Sequence, residues 1–208
     1  MRLNASDGHK LRGYFGNLFR ERSPLLHNHF EEGGLRYAYP LVQYKVIRRT
    51  PMLVGLEEGA KLLVELFTQI KELDIGGEIH PVEEKQIEFQ TCPVGVGEDL
   101  YEYRFQTLWM GLNQNNYSRY QELSEAERPG LLNKILVGNI LTLFKGIQHR
   151  TEKRILVKTK LHEKQTQFKG QRMLAFRGSF TTNAKLPAYI GLGKSPARGF
   201  GTITHPNP

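Results

Sequence analysis

Tyr101-Glu102-Tyr103-Arg104-Phe105-Gln106-Thr107-Leu108-Trp109 is the stretch from which the architecture is read. Tyr101, Tyr103, Phe105, Thr107 and Trp109 alternate with Glu102, Arg104 and Gln106, a period of two that marks a half-buried strand. Such aromatics can stack nucleobases, but at this spacing a core role is the commoner one. Downstream, Pro129 opens an apolar run at helical spacing through Leu132, Ile135, Leu136, Ile140, Leu143 and Phe144. The period then returns to two. Arg154, Leu156, Lys158 and Lys160 share one face, Ile155, Val157, Thr159 and Leu161 the other, and Arg172 and Arg177 fall in the next strand pair.

Upstream the pattern is similar. Leu11, Phe15, Leu18 and Phe19 follow helical spacing, with Lys10 and Arg12 at the end where the helix dipole disfavours cations. Leu35 to Arg49 reads as a strand, with Tyr37, Tyr39, Leu41 and Ile47 on one side, Val42 and Val46 on the other, and Pro40 suggesting an edge or a bulge. Met52-Leu53-Val54 is a short strand, and Glu57 to Leu73 an amphipathic helix through Ala60, Leu63, Leu66, Phe67 and Ile70. Strand-like segments at Ile75–Ile79 and Lys85–Thr91 follow, and Pro93-Val94-Gly95-Val96-Gly97 has the composition of a linker.

A chain of 208 residues accommodates two small α/β units. The expected fold is α+β: tandem ferredoxin-like (βαββαβ) domains at residues 1–94 and 98–208, the second with a C-terminal glycine-rich loop, although no sequence repeat relates the halves. Only Met1-Arg2-Leu3-Asn4 precedes the first helical run, so the leading strand is expected to be vestigial or to lie upstream of the recorded start.

A single cysteine, Cys92, excludes an intramolecular disulfide framework and a cysteine-based zinc site. With no signal peptide or membrane-length apolar run, the expected setting is soluble and cytoplasmic. The net charge of +8 is segregated: residues 1–49 carry +5, residues 50–144 carry −8 and residues 145–208 carry +11. A tail this basic, with few interspersed acids, fits a polyanion better than a solvated face kept for solubility.

That tail ends in Tyr189-Ile190-Gly191-Leu192-Gly193-Lys194-Ser195-Pro196-Ala197-Arg198-Gly199-Phe200-Gly201-Thr202. Gly191, Gly193, Gly199 and Gly201 bracket Lys194 and Arg198, so the segment can cradle an anion through backbone N–H groups or can serve only as a turn. It is neither a dinucleotide fingerprint nor a Walker loop, and no helix follows, which leaves a nucleotide-dependent protein as a poor reading. Near the other end, Ser23 to Gly34 is a loop holding His27 and His29, a pair able to take one proton and give another at neutral pH. A surface histidine pair is the plain alternative, and a metal site would want more ligands.

Lys10 to Asn17, the His27/His29 loop leading into Tyr39-Pro40-Leu41-Val42-Gln43-Tyr44-Lys45, and the Gly191–Gly201 loop together resemble the CRISPR-associated endoribonucleases that process repeat RNA, the sixth Cas family and its subtype-b branch in particular. The resemblance spans nearly the whole chain. It implies cleavage of CRISPR precursor RNA within each repeat, without metal or cofactor, by attack of a 2′-hydroxyl that leaves a 2′,3′-cyclic phosphate and a 5′-hydroxyl. His29 and His27 would supply base and acid, His29 being the better match, with Lys45 for developing charge and Tyr37 for the tyrosine that accompanies the histidine. Arg36 and Lys10 are further cations nearby. RNA would be held by Lys10, Arg12, Arg36, Lys158, Lys160, Arg172, Arg177, Gly191, Gly193, Lys194, Arg198, Gly199 and Gly201. Repeat RNA is the implied partner, with other CRISPR-associated effector subunits and a second copy of the chain as further candidates, and no membrane. The alternative within the family is a catalytically inactive repeat-RNA-binding relative.

Overall fold

The structure, a computed structural model, describes residues 3–18, 39–168 and 170–206. His27, His29, Arg36 and Tyr37 lie outside the described residues, as does the whole Ser23–Gly34 loop that holds the histidines. Two compact units divide the chain. One comprises Met1–Thr91 with Ala197–Gly199, the other Cys92–Pro196 with Phe200–Pro208.

The first unit opens with a 3-10 turn, Ala5–Asp7, that runs into helix α1, Gly8–Leu18. Leu3 and Asn4 form no strand, because the Asn4 N–H donates to the Asp7 carboxylate at 2.8 Å and the Asp7 N–H to the Asn4 carbonyl at 2.9 Å. Strands β1 (Val42–Ile47) and β2 (Thr50–Gly55) form an antiparallel hairpin in which Val42 faces Gly55 and Ile47 faces Thr50. Helix α2 follows at Glu58–Leu66, and β3 (Glu72–Asp74) pairs with β4 (Ile79–Pro81). From the first helix onward, α1, β1, β2, α2 and β3 keep the order helix, strand, strand, helix, strand of a ferredoxin-like unit. The core joins Leu11 and Phe15 of α1 to Val42, Tyr44 and Val46 of β1, with Leu3, Leu66, Leu73 and Ile75 closing it.

Three local expectations change here. Helix α2 stops at Leu66, passing into a 3-10 turn at Phe67–Gln69, and Ile75–Ile79 contains the turn between β3 and β4, where Gly76 and Gly77 take positive φ. Lys85–Thr91 alternates like a strand yet pairs with no strand among the described residues. The Lys85 ammonium instead reaches the carbonyls of Phe67 and Ile70 at 2.7 and 2.8 Å and sits over the Phe67 ring, satisfying acceptors that the end of the helical segment leaves open.

In the second unit, strand β5 spans Gly95–Phe105, so Gly95 and Gly97 belong to a strand rather than to a linker. Helices α3 (Gln114–Glu122) and α4 (Arg128–Gly146) precede the long hairpin of β6 (Val157–Phe168) and β7 (Gln171–Lys185), and β8 is Ile203–Thr204. The antiparallel sheet has the order β6-β7-β5-β8, in which the first strand of the unit lies between its third and fourth, as in a ferredoxin-like fold. The expected second helix is replaced by the glycine-rich segment between β7 and β8. Tyr103, Phe105, Phe176 and Phe180 point to the helix-covered side and pack with Trp109, so the aromatics of the opening stretch are core. The fold is thus α+β, built of tandem ferredoxin-like units.

Candidate functional site

In the first unit, β1 is buried on both sides. Val42, Tyr44 and Val46 face the core, and Gln43 and Lys45 point the other way without reaching solvent. The Lys45 ammonium donates to Gln43 Oε1 at 2.9 Å, and the Gln43 amide donates to the Pro40 carbonyl at 3.1 Å. Removal from water disfavours the charged ammonium, and the Lys45 pKa is pushed down to about 7. A lysine in this state exchanges protons at neutral pH.

Ala197–Gly199 lies on the same strand. A Cβ added to Gly8, at the start of α1, would fall 2.6 Å from the Arg198 carbonyl oxygen and 2.8 Å from that of Tyr44. Gly199, at φ +88°, faces the Tyr44 carbonyl and the Lys45 Cα. Arg12 is one turn beyond Gly8 and therefore on the same side of α1. Its guanidinium pKa is lowered, first by burial and then by the positive charge of Arg198. Arg12, Arg198 and Lys45 are thus gathered around the backbone of residues 44–45.

Lys10 and Tyr14 have local duties. The Lys10 ammonium is 3.0 Å from the Asp7 carboxylate, which answers the unfavourable dipole that its position suggests. Tyr14 donates its hydroxyl to the Glu72 carbonyl at 2.9 Å and so ties α1 to β3.

In the second unit Gly191 and Gly201 lie at the neck of a closed loop. Gly191 bridges Thr202, the Leu192 N–H donates to the Gly201 carbonyl, and the Gly201 and Lys194 N–H groups donate to the carbonyls of Leu108 and Met110. At Gly201, with φ +63°, any side chain would strike the Leu192 carbonyl oxygen. The N–H groups of Leu192, Lys194 and Gly201 are thus taken up by carbonyls of the fold, Gly191, Gly193, Gly199 and Gly201 are closely packed, and Lys194 and Arg198 add cationic side chains to the segment.

The sheet of this unit has one face under the helices and one without them. The unbroken β6–β7 register places Lys158 opposite Thr181, Lys160 opposite Ser179 and His162 opposite Arg177, all on the face away from the aromatic core. Arg104 continues the Lys160–Ser179 rung and pairs onward with Thr204. Lys158, Lys160, Arg177, His162 and Arg104 thus form an exposed basic row. Arg172 does not join it: it shares parity with Phe176 and Phe180, and so lies on the opposite face near the hairpin tip, a correction to its grouping with Arg177. Arg104 and His162 are the additions, and the alternation that buries Tyr103 and Phe105 already contained the signal for Arg104.

Among the described residues, no group of three or more His, Cys, Asp or Glu could hold a metal ion, and no helix is long and apolar enough to cross a membrane.

Comparison with known proteins accounts for both units. The family model for the Cas6b N-terminal domain matches residues 1–92 and that for the Cas6b C-terminal domain matches residues 95–206. A crystal structure of Cas6b is 34% identical and superposes with a TM-score of 0.93, covering 99% of this chain and 94% of that one. A crystal structure of CRISPR RNA processing endoribonuclease Cas6b is 32% identical, with a TM-score of 0.74 over 99% of this chain and 93% of that one. An uncharacterised protein of Methanocaldococcus jannaschii is 34% identical over 142 residues, 67% of this chain and 95% of its own length. With both domain models tiling the sequence in order, the chain belongs to the Cas6b family.

Proposed function

We propose that the protein is a metal-independent endoribonuclease that cuts CRISPR precursor RNA within its repeats. The observation that carries this reading is the seat of Ala197–Gly199 on β1, which puts Arg198 beside Arg12 and over the strand that buries Lys45. A basic loop placed against a proton-exchanging lysine is suited to holding a phosphodiester while it reacts. The crystal structure of a CRISPR RNA processing endoribonuclease in the same family supports the substrate.

In the proposed reaction, one of His27 and His29 takes the proton from the 2′-hydroxyl upstream of the scissile bond. The 2′-oxygen attacks phosphorus, the bond to the 5′-oxygen breaks, and the other histidine protonates that leaving oxygen. The products are a 2′,3′-cyclic phosphate and a 5′-hydroxyl. Arg12, Arg198 and Lys45 are the cations assigned to the charge that develops on the phosphorane oxygens, with Arg36 and Lys10 as further cations and Tyr37 as the tyrosine that accompanies the histidine. Lys158, Lys160, Arg177 and Lys194 bind RNA backbone in this reading, with Arg172 on the other face of the hairpin. In this reading the first unit does the cutting and the second binds the repeat through its basic sheet face, with Ala197–Gly199 counted in the first.

The test is incubation with repeat RNA in EDTA, with the ends analysed by mass spectrometry. A cyclic phosphate and a 5′-hydroxyl at one position are expected. Binding without cleavage under the same conditions would favour the inactive RNA-binding relative, and cleavage that needs added divalent metal would overturn the mechanism.

A further inference from the structure

Two surfaces used by neither the fold nor the proposed RNA site have complementary chemistry. The first is a groove of about 390 Å³ on the outer side of α4. Val137, Leu141 and Ile155 contribute apolar walls, and Lys134, Lys153 and Arg154 supply the charge. The opposite side of α4 already carries the core through Leu132, Leu136, Ile140 and Leu143. Leu141 is nonetheless 47% exposed, an apolar residue left in water beside three cations.

The second surface is the segment that follows β4. Lys85 pins its start to the end of the α2 segment, as described above, and beyond that point Ile87 is 48% and Phe89 74% exposed. Glu83, Glu84 and Glu88 are exposed around them. The segment has the alternation of a strand and no strand partner among the described residues. An exposed phenylalanine and isoleucine set among carboxylates is the chemical complement of an apolar groove set among cations.

We propose that residues 83–90 of one copy of the chain dock in the α4 groove of a second copy, with Ile87 and Phe89 on the apolar walls and Glu83, Glu84 and Glu88 against Lys134, Lys153 and Arg154. RNA is the weaker occupant for this groove. No aromatic side chain lines it for base stacking, and a phosphate backbone gains nothing from Val137, Leu141 and Ile155. The contact joins two different surfaces and is therefore heterologous.

The test uses the full chain without RNA, followed by sedimentation velocity across concentration at low and high salt. Reversible self-association that weakens with salt is expected, because the charged contacts are exposed and screened. A segment variant carrying Glu83→Lys, Glu84→Lys and Glu88→Lys, and a groove variant carrying Lys134→Glu, Lys153→Glu and Arg154→Glu, should each self-associate at least tenfold more weakly. Mixing the two should restore association, since reversed segment then meets reversed groove and native segment meets native groove. Phe89→Ser, with an unchanged circular dichroism spectrum, should also weaken self-association. A wild-type chain that stays monomeric, or variants that fail to rescue one another on mixing, would overturn the proposal. So would a groove variant that loses repeat-RNA binding while self-associating normally, which would make the groove an RNA surface.

Discussion

Gly8 and Arg198, from opposite ends of the chain, meet backbone to backbone: the Arg198 carbonyl oxygen occupies the space where a Cβ at Gly8 would sit, 2.6 Å away. Gly8→Ala must push the basic turn off α1 and β1, at a cost of about 1–3 kcal/mol if the fold adjusts. Gly13, in the same helix, has nothing within 4 Å of its ideal Cβ, so Gly13→Ala should be neutral or stabilising by up to about 1 kcal/mol. Chemical denaturation of the two variants checks this, and repeat-RNA cleavage should fall in Gly8→Ala alone. Equal stability of both variants would contradict the close approach.

Burial of Lys45 predicts a specific pH dependence of stability. Below about pH 7 the ammonium is protonated in both states and its desolvation penalty is complete. Between about 7 and the ordinary lysine value of 10.5 the unfolded chain binds the extra proton, so stability rises with pH, by up to about 1.4 kcal/mol per unit. Lys45→Met removes this contribution. The stability of the variant relative to wild type should therefore be greatest at acid pH and decline toward pH 10, as read from denaturant midpoints along a pH series. A constant difference across the series would rule out the depressed pKa.

Single replacement of His27 or His29 by Ala should lower single-turnover cleavage by on the order of 10² or more while repeat-RNA affinity stays nearly constant. Filter binding and cleavage time courses on the same preparations separate the two effects. Parallel loss of affinity in both variants would give the histidines a structural role.

The sheet faces predict unequal contributions from four cations of the β6–β7 hairpin. Lys158→Ala, Lys160→Ala and Arg177→Ala should each weaken repeat-RNA binding and reduce the slope of log affinity against log salt by about 0.7 for each phosphate that is no longer neutralised. Arg172→Ala, on the other face, should change the slope less. Salt titrations distinguish these outcomes, and an Arg172 effect equal to that of Lys160 would place RNA on both faces of the hairpin.

Strong periodic segments were legible because one alternation or one helical stripe sufficed. The stretch Tyr101–Phe105 and helix α4 after Arg128 are examples, their apolar residues lying on the side that packs. Helix α3 was not legible. Its Gln114-Asn115-Asn116-Tyr117-Ser118-Arg119-Tyr120 run is polar and buries only Tyr120, although Asn113 accepts the Asn116 N–H as an N-cap. Lys85–Thr91 misled in the opposite sense, since alternation is necessary for a strand but a strand also needs a partner.

By itself the sequence determined the α+β class and the basic C-terminal half, because composition and periodicity are local properties of the chain, and its motifs carried the resemblance to the family. Only tertiary structure decided that Lys45 is withdrawn from water, that Arg12 and Arg198 stand together, that Arg172 faces away from Lys160, and that the N–H groups of Leu192, Lys194 and Gly201 are taken up by carbonyls. Each of these depends on what a distant segment brings alongside. Burial, like-charge proximity and the occupancy of an N–H group are properties of surroundings, which residue order specifies only through the completed fold.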